Sequence, residues 1–415
     1  MKNVVVIGAG VIGLCTAYYC ARRGHRVTVL ERYGPQRDGC SFGNAGMIVP
    51  SHFVPLAAPG MVKLGVKWMW NPESPFYIKP RASPALLDWA FKFWRASNAY
   101  HVKRSAPLLR DLHFASRECF LELEDALGDF DLRTEGLLML CQSQHALDDE
   151  ARYAAQANDL GVPAQVLDAE QTGKLDPAIT MSVAGAVYFP KDSHLNPNLF
   201  MAALEAQCLS LGVQMEWNSE VTRFEVQSSR IASVHTTRGD FHADEIVLCG
   251  GSWSPQIARD LHLDLPMQAG KGYSLTLANP RQLPRICAIL SEARVAVTPM
   301  GSSLRFGGTM EMSGLNEEIH PSRVRGILKS IPLYYPEFKI EDFADVPPWA
   351  GLRPCSPDGL PYLGRTRELA NCSIATGHAM MGLSLGPITG RLISQIVSDE
   401  VPDLDLSLLN PNRYS

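Results

Sequence analysis

Apolar and polar positions at the start of the chain follow the order strand, turn, helix, strand. Val4 to Ile7 are consecutive β-branched residues, which predicts a strand buried on both faces of a parallel sheet. A helical pattern from Val11 to Arg23 follows at once, and Gly24 closes it. The segment RVTVLE then predicts a second strand, so these residues form a βαβ unit.

Glycines and an acid occupy set positions in this unit. Gly8, Gly10 and Gly13 form G-x-G-x-x-G: the first allows the tight turn, the second admits a pyrophosphate, and the third lets helix and strand pack closely. Glu31 ends the second strand 23 residues after Gly8, where a carboxylate accepts from a ribose hydroxyl and disfavours a 2′-phosphate. The unit predicts a dinucleotide site, with an ordinary βαβ unit as the alternative. It does not distinguish NAD from FAD.

Three later segments favour FAD. The small residues of GCSFGNAGMIVPSH, 39–52, let backbone amides approach a flat ring. Residues 372–400 predict a strand, a glycine-rich turn and a helix from Gly386, whose N-terminus favours the negative charge of a reduced flavin. Between them, a hairpin pattern precedes the apolar strand Ile246 to Cys249, which we expect in the nucleotide sheet. An NAD-linked dehydrogenase would not explain the second glycine-rich turn.

Composition narrows the class of protein. A length of 415 residues exceeds what one core usually organises and predicts two domains. Basic and acidic side chains number 38 and 43, so no nucleic-acid partner is expected, and no metal-ligand pattern occurs. The ten scattered cysteines predict reduced, unpaired thiols. Without a signal-peptide pattern or an apolar stretch of roughly 20 residues, we expect a cytoplasmic protein with a small-molecule partner.

One arginine lies in partly apolar surroundings near the C-terminus. Arg353 is the only cation before the final glycine of WAGLRPCSPDGLPYLG, and no carboxylate precedes Asp358 in that segment. A guanidinium in such a place needs a partner, and its planar fork fits a carboxylate. The partner is either a distant acid of the same chain or a ligand that carries a carboxylate.

Several motifs together resemble those of a known family. The opening fingerprint, SFGNAGMIVP, GKGYSLTL, GLRPCSPDGLPYLG and GHAMMGLSLGPITG are similar to successive motifs of FAD-dependent D-amino-acid dehydrogenases, within the D-amino-acid oxidase and glycine oxidase superfamily. The resemblance implies an α/β fold: a Rossmann-like FAD-binding domain of the glutathione-reductase/D-amino-acid-oxidase type, interleaved with a mixed-sheet α+β substrate domain. Residues 1–56, 195–262 and 346–415 would form the FAD domain, and 57–194 and 263–345 the substrate domain.

The resemblance also implies the site residues. Arg353 would bind the substrate carboxylate, and Tyr273 would help hold it or cover the site. His52 would line the substrate pocket, with a structural role as the alternative. Noncovalent FAD is expected, because methionines stand where other members have a cysteine that holds the flavin. The cofactor residues are Gly8, Gly10, Val11, Ile12, Gly13, Glu31, Arg32, Cys40, Ser41, Asn44, Ala45, Gly46, Met47, Val221, Gly250, Gly251, Trp253, Gly377, His378, Met380, Met381, Gly382, Leu383 and Ser384. We expect His378 to bond backbone near the flavin.

The implied reaction is oxidation of a D-amino or cyclic D-imino acid by hydride transfer from Cα to flavin N5. SFGNAGMIVPSH is more similar to the members that oxidise cyclic D-imino acids such as D-hydroxyproline or D-proline than to the broad D-alanine enzymes, while WMWNPESPFYIKPR, 68–81, resembles the dehydrogenase branch in general. A quinone or an electron-transfer partner would accept the electrons. The alternatives are a broad D-alanine dehydrogenase, a glycine- or sarcosine-type oxidase that uses oxygen, and a non-catalytic flavin electron carrier.

The aromatic segment LLDWAFKFWRASNAY, 86–100, predicts a helix with one apolar face. Leu86, Trp89, Ala90 and Phe93 form that face, with Trp94 at its edge. Core packing explains the pattern. The alternative is peripheral contact with the inner face of a membrane, which would suit transfer of electrons to a quinone.

Overall fold

The computed structural model describes residues 1–68, 71, 73–81 and 83–415. Met69, Trp70 and Pro72 of the stretch that resembles the dehydrogenase branch lie outside these residues. The helices are α1 (Val11–Arg22), α2 (Met61–Trp68), α3 (Pro84–Ala96), α4 (Ala99–Leu127), α5 (Gln144–Asp159), α6 (Ala169–Leu175), α7 (Pro197–Ser210), α8 (Ser254–Asp260), α9 (Pro321–Tyr334) and α10 (Gly386–Val397).

The described residues also form strands, which are numbered in chain order. They are β1 (Asn3–Ile7), β2 (Arg26–Leu30), β3 (Met47–Ile48), β4 (Phe76–Ile78), β5 (Leu137–Cys141), β6 (Gln165–Asp168), β7 (Gly185–Phe189), β8 (Ser193–His194), β9 (Gln214–Glu216), β10 (Val221–Gln227), β11 (Arg230–Thr236), β12 (Gly239–Phe241), β13 (Glu245–Leu248), β14 (Gln268–Ala278), β15 (Cys287–Leu290), β16 (Val295–Met300), β17 (Ser303–Met312), β18 (Trp349–Cys355), β19 (Tyr362–Arg365) and β20 (Cys372–Thr376).

The first sheet holds the predicted βαβ unit. Its order is β19-β20-β13-β1-β2-β9, and all its pairs are parallel except β19 with β20. The predicted returning strand is confirmed, because β13 pairs with β1 from Glu245 to Leu248. Helix α10 packs closely on α1: a Cβ at Gly390 would lie 2.4 Å from the backbone carbon of Cys15. Both chain ends therefore build one layer around the fingerprint.

The second sheet is mixed and larger. Its order is β18-β14-β17-β16-β15-β5-β7-β6, with β4 paired to β17. The β15–β5 and β17–β4 pairs are parallel, whereas β14 pairs antiparallel with β17 and β18. The α/β fold class with a mixed second sheet is thus confirmed. Strand β18 belongs to this sheet, although 346–415 was assigned to the FAD domain; the domain boundaries as a whole stay a prediction.

One apolar core joins the two layers. It contains Leu14 of α1, Phe120 of α4 and Met139 of β5, each buried. The short pair β3–β8 lies between the layers, with Ile48 opposite Ser193. The core therefore fixes the two sheets relative to each other, and the elements between them are held on both sides.

The helix predicted from the aromatic segment splits its aromatic residues between two faces. Leu86 and Trp89 of α3 are buried, and the Trp89 indole donates to the carbonyl of Cys355 at 2.9 Å. Trp94 lies on the other side and is 61% exposed, together with Leu87 and Phe91. Among the described residues, no helix is long and apolar enough to cross a membrane. All ten cysteines are described, and each thiol is free.

Candidate active site

A cavity of about 1010 Å³ opens at the carboxyl ends of the first-sheet strands. Gly8 has φ +106°, and a Cβ there would lie 2.7 Å from the carbonyl oxygen of Cys249. A Cβ at Gly13 would lie 1.9 Å from the oxygen of Gly8. Both positions require glycine, for the turn and for the helix packing that the fingerprint implied. The amides at the start of α1 have no partner within the helix, which suits an anion.

Polar groups at the adenosine end of this cavity are already oriented. Glu31 is buried, and its carboxylate accepts hydrogen bonds from the amides of Ala9 at 2.8 Å and Tyr33 at 3.0 Å. Two amides thus fix the orientation of the acid that sequence reasoning assigned to a ribose. The guanidinium of Arg32 lies 3.8 Å from the ring centroid of Trp253. This flat, charged wall suits an adenine.

Most predicted cofactor residues surround this cavity. Those that line it are Gly8, Gly10, Val11, Ile12, Glu31, Arg32, Cys40, Ser41, Asn44, Val221, Gly250, Gly251, Trp253, His378, Gly382 and Leu383. Ala45, Met47, Met380 and Met381 line a second cavity instead. Gly13, Gly46, Gly377 and Ser384 line neither cavity.

The four predicted residues that line neither cavity support the loops around the cavities. Gly46 has φ +75°, and a Cβ there would lie 2.2 Å from the carbonyl oxygen of Leu195. The Ser384 hydroxyl accepts from the amide of Val49 at 3.1 Å, which ties the C-terminal turn to the loop after β3. These residues shape the cavities rather than face them.

His378 differs from the expectation that it bonds backbone. Its Nε2 lies 3.0 Å from the hydroxyl of Thr389, while its Nδ1 is buried and has no hydrogen-bond partner in the part of the chain that the structure describes. Burial lowers the pKa of this imidazole to about 3, so the ring is neutral. A buried nitrogen without a partner, at the wall of the first cavity, fits a polar group of a bound cofactor.

The second cavity, of about 540 Å³, adjoins the first. Cys40 and Asn44 line both cavities. Strand β18 forms a further common wall: Leu352 and Pro354 face the first cavity, while Gly351 and Arg353 face the second. The two-residue period of a strand thus places Arg353 in a chamber beside the dinucleotide site.

Arg353 has no carboxylate partner among the described residues. One guanidinium nitrogen donates to the carbonyl oxygen of Thr309 at 2.6 Å. The Arg353 side chain is half-buried, and desolvation lowers the pKa of its guanidinium. A Cβ at Gly272 would lie 2.2 Å from the central guanidinium carbon, so the group lies flat against β14 only because residue 272 is glycine. The distant internal acid considered for Arg353 is not found in the part of the chain that the structure describes.

Tyr273 lines the second cavity with its ring, but its hydroxyl points to an internal acid. It donates to Glu311 at 2.7 Å, and burial together with Glu311 raises the Tyr273 pKa. Lys271 lies 3.4 Å and Arg323 3.7 Å from the same carboxylate. In this arrangement Tyr273 forms a wall of the chamber. Its role in holding a substrate carboxylate stays a prediction.

His52 also lines the second cavity, so all three predicted catalytic residues meet there. Its Nδ1 lies 2.9 Å from the Ser51 hydroxyl. Burial, with a smaller effect of Arg294, lowers the pKa of His52 to about 4, so the imidazole is neutral at physiological pH. Arg294 lines the same cavity and is exposed.

Sequence reasoning missed Gly272 and Trp349. The Trp349 ring lines the chamber between two glycines: a Cβ at Gly43 would lie 2.2 Å from it, and one at Gly351 2.1 Å. Its indole donates to Asp38 at 2.8 Å. The glycines lie within the quoted motifs, but a single sequence does not show which distant side chain each one accommodates.

A family model described as "DAO: FAD dependent oxidoreductase" matches residues 3–396. The chain belongs to this family. FAD is therefore its cofactor, and the first cavity, with its glycine turn, fixed acid and helix N-terminus, fits that dinucleotide. Among the described residues, no group of three or more His, Cys, Asp or Glu side chains could hold a metal ion.

Relatives cover the chain from end to end. A D-amino acid dehydrogenase of Bradyrhizobium diazoefficiens is 32% identical, over 100% of this chain and 99% of that protein. Another of Agrobacterium fabrum is 31% identical over the full length of both. Among solved structures, glycine oxidase from Geobacillus kaustophilus has a TM-score of 0.80 at 23% identity, covering 100% of this chain and 99% of that one. L-proline dehydrogenase from P. horikoshii has a TM-score of 0.75 at 18% identity, covering 100% and 97%. These structures share the fold.

Proposed function

We propose that this FAD-dependent oxidoreductase dehydrogenates a D-amino acid, with the cyclic D-imino acids D-hydroxyproline and D-proline as favoured substrates. The observation that carries the proposal is Arg353, a half-buried guanidinium with no carboxylate partner among the described residues, in a chamber that adjoins the FAD cavity. The relatives named D-amino acid dehydrogenase support the substrate class. A non-catalytic electron carrier would need no carboxylate-binding group in such a chamber.

In this reaction the protein binds the substrate and orients it. Arg353 takes the substrate carboxylate in a bidentate contact, and Gly272 keeps the guanidinium flat against the strand. FAD, when bound, accepts a hydride from the substrate carbon. The neighbouring walls exclude water and place that carbon toward the first cavity. The product is an imine, which water hydrolyses to a 2-oxo acid and ammonia if it is acyclic and which persists as a pyrroline if it is cyclic.

The other residues that line the chamber favour a substrate whose side chain is a small, uncharged ring. Phe76, Trp89, Phe93 and Met310 contribute apolar surface to it. A pyrrolidine ring buries its carbons well against such walls. A long charged side chain would lose its hydration there without an acidic partner.

Anaerobic mixing of the purified holoenzyme with single amino acids tests this proposal. D-hydroxyproline, D-proline, D-alanine, glycine and the L-isomers would each be added, and loss of the oxidised flavin absorbance followed. Rapid loss with the cyclic D-imino acids supports the favoured substrates. Equal rates with D-alanine indicate the broad dehydrogenase, and preference for glycine indicates the oxidase class. No loss with any of them refutes the proposal.

For the electron acceptor we propose a quinone, reached through peripheral contact with a membrane. The supporting feature is the outer face of α3, where Leu87, Phe91 and Trp94 are 69%, 56% and 61% exposed. Trp89 and Phe93 of the same helix line the substrate chamber. Exposed aromatic residues of this kind suit a membrane interface. Sedimentation with phospholipid vesicles tests it: Phe91→Ser/Trp94→Ser should reduce binding, whereas Leu209→Ser, on an exposed leucine of α7, should not.

A further inference from the structure

Behind His52, a hydrogen-bonded chain runs away from the substrate chamber. The Ser51 hydroxyl lies 2.9 Å from Nδ1 of His52 and donates to Oδ2 of Asp192 at 2.5 Å. Oδ1 of Asp192 accepts from the amide of Ser51 at 3.0 Å. Ser51 is 1% exposed and Asp192 is fully buried. Binding of the substrate carboxylate by Arg353 does not explain the function of these hydrogen-bonded residues.

The neighbours hold this chain in place. The Tyr153 hydroxyl donates to the carbonyl oxygen of Ser51 at 2.6 Å, and its ring stacks on Phe53 with the centroids 5.0 Å apart. Asp192 directly precedes β8, whose residue Ser193 pairs with Ile48 of β3. Ser51 and Asp192 are thus fixed from both sides.

Counting hydrogens assigns the tautomer of His52. Above its pKa Asp192 is ionised, and because an ionised carboxylate only accepts hydrogen bonds, it takes the single hydroxyl hydrogen of Ser51. The Ser51 oxygen can then bond Nδ1 of His52 only by accepting its hydrogen. Nδ1 is therefore protonated, and Nε2 carries a lone pair. Nε2 has no hydrogen-bond partner among the described residues, and it belongs to a side chain that lines the chamber.

We propose that Asp192, acting through Ser51, holds His52 in the tautomer whose Nε2 accepts a hydrogen bond from the substrate nitrogen. This inference rests on the proposed amino-acid oxidation. As the hydride leaves Cα, the nitrogen lone pair forms the C=N bond, and the N–H group becomes positively charged. A hydrogen bond from that group to a neutral imidazole strengthens as the charge develops, which stabilises the transition state. No bond to His52 forms or breaks. His52 is the catalytic residue, and Ser51 and Asp192 are positioning residues.

Charged and titratable groups surround both ends of this hydrogen-bonded chain. Burial, with a smaller effect of Arg294, lowers the pKa of His52, and burial raises the pKa of Asp192 to about 7. Protonated Asp192 would donate to Ser51, whose hydrogen would turn to Nδ1 and leave the hydrogen of His52 on Nε2. Productive hydrogen bonding is therefore lost as the pH falls through the Asp192 pKa. The facing groups are Arg294, Arg353, Tyr273 and His113 for His52, and Arg117, Tyr153 and Cys287 for Asp192.

Asp192→Asn tests the proposal with little change of shape. The amide oxygen would keep the bond from the Ser51 amide, and the NH₂ group would donate to the hydroxyl. The hydroxyl hydrogen then turns to Nδ1, and His52 adopts the opposite tautomer. At a pH above the Asp192 pKa, nitrogen NMR of histidine-labelled holoenzyme, assigned with His52→Gln, should show protonated Nδ1 in the wild type and protonated Nε2 in Asp192→Asn. Ser193→Ala is the matched control, because Ser193 is an equally buried neighbour whose hydroxyl has no hydrogen-bond partner within residues 1–68, 71, 73–81 and 83–415.

The rate of flavin reduction should depend on the tautomer of His52. Anaerobic flavin reduction by saturating D-hydroxyproline should be about ten- to a hundredfold slower in Asp192→Asn, with unchanged FAD content, and Ser193→Ala should match the wild type. The wild-type rate should fall below about pH 7, and Asp192→Asn should lack this step. A wild-type tautomer in Asp192→Asn, or a reversed tautomer at full rate, overturns the proposal. If no amino acid reduces the wild-type flavin, the proposed function and the substrate role of His52 both fail, while the NMR result still decides the positioning by Asp192.

Discussion

Arg353→Lys keeps the charge in the substrate chamber and removes the planar fork. In the structure the guanidinium donates to Thr309 with one nitrogen and lies flat on Gly272. A lysine ammonium is a point charge that would be shared between the Thr309 carbonyl and the substrate. One of the two hydrogen bonds to the substrate carboxylate is lost.

Each hydrogen bond to a charged group contributes about 1.5 to 3 kcal/mol. Loss of one therefore predicts a fall in kcat/KM of about 10- to 150-fold. We expect KM to rise and kcat to fall, because a substrate held at one oxygen also places its reacting carbon less well. The FAD content should stay the same, since Arg353 faces the second cavity and not the first.

Steady-state kinetics with an artificial electron acceptor and D-hydroxyproline measures both constants. Arg391→Lys is a suitable control, because that arginine lines neither cavity. Unchanged kcat and KM in Arg353→Lys would refute the assignment of Arg353 as the carboxylate ligand. A loss of FAD with normal kinetics per flavin would instead show a structural role.

Three further substitutions test the surrounding site. Tyr273→Phe should lower the free energy of unfolding by about 1 to 3 kcal/mol in urea titration, because Glu311 loses a buried donor; a large fall in kcat/KM at unchanged stability would place the hydroxyl on the substrate. Glu31→Gln should weaken FAD binding about tenfold, measured by flavin fluorescence on dilution, and equal affinity would remove Glu31 from the ribose site. Gly272→Ala should lower kcat/KM about as much as Arg353→Lys, because its Cβ would lie 2.2 Å from the guanidinium carbon, whereas Gly173→Ala, with no atom within 4 Å, should have no effect.

The dinucleotide site could be predicted from sequence because its determinants are local. Gly8, Gly13 and Glu31 lie within one βαβ unit, and within that unit Gly13 packs against Gly8 and Glu31 accepts from the amide of Ala9. The returning strand β13 was predictable for the same reason, since a short apolar run followed by two glycines has few other places in a parallel sheet. Arg353 stood out in the sequence as a cation in partly apolar surroundings, and the motif resemblance supplied its role as the carboxylate ligand. The structure adds that no acid among the described residues pairs with it.

The parts that sequence did not predict depend on contacts between distant segments. Strand β18 begins the C-terminal segment that sequence assigned to the FAD domain but pairs with β14 of the second sheet. Ser51 and Asp192 are 141 residues apart, and nothing local to either indicates their hydrogen bonds. Trp94 was expected at the edge of the apolar face of α3, but it is exposed. The reason is that this helix buries only the side toward the chamber, which carries Leu86 and Trp89.

The most direct test of the central claim compares D-proline with D-prolinamide in anaerobic flavin reduction. The two differ only in the carboxylate, and the amide has the less basic nitrogen, so without a carboxylate ligand it should react at least as fast. The account predicts that the wild-type holoenzyme is reduced about 100-fold faster by D-proline, and that this ratio falls to about 10 in Arg353→Lys. Equal rates with both compounds in the wild type would contradict it.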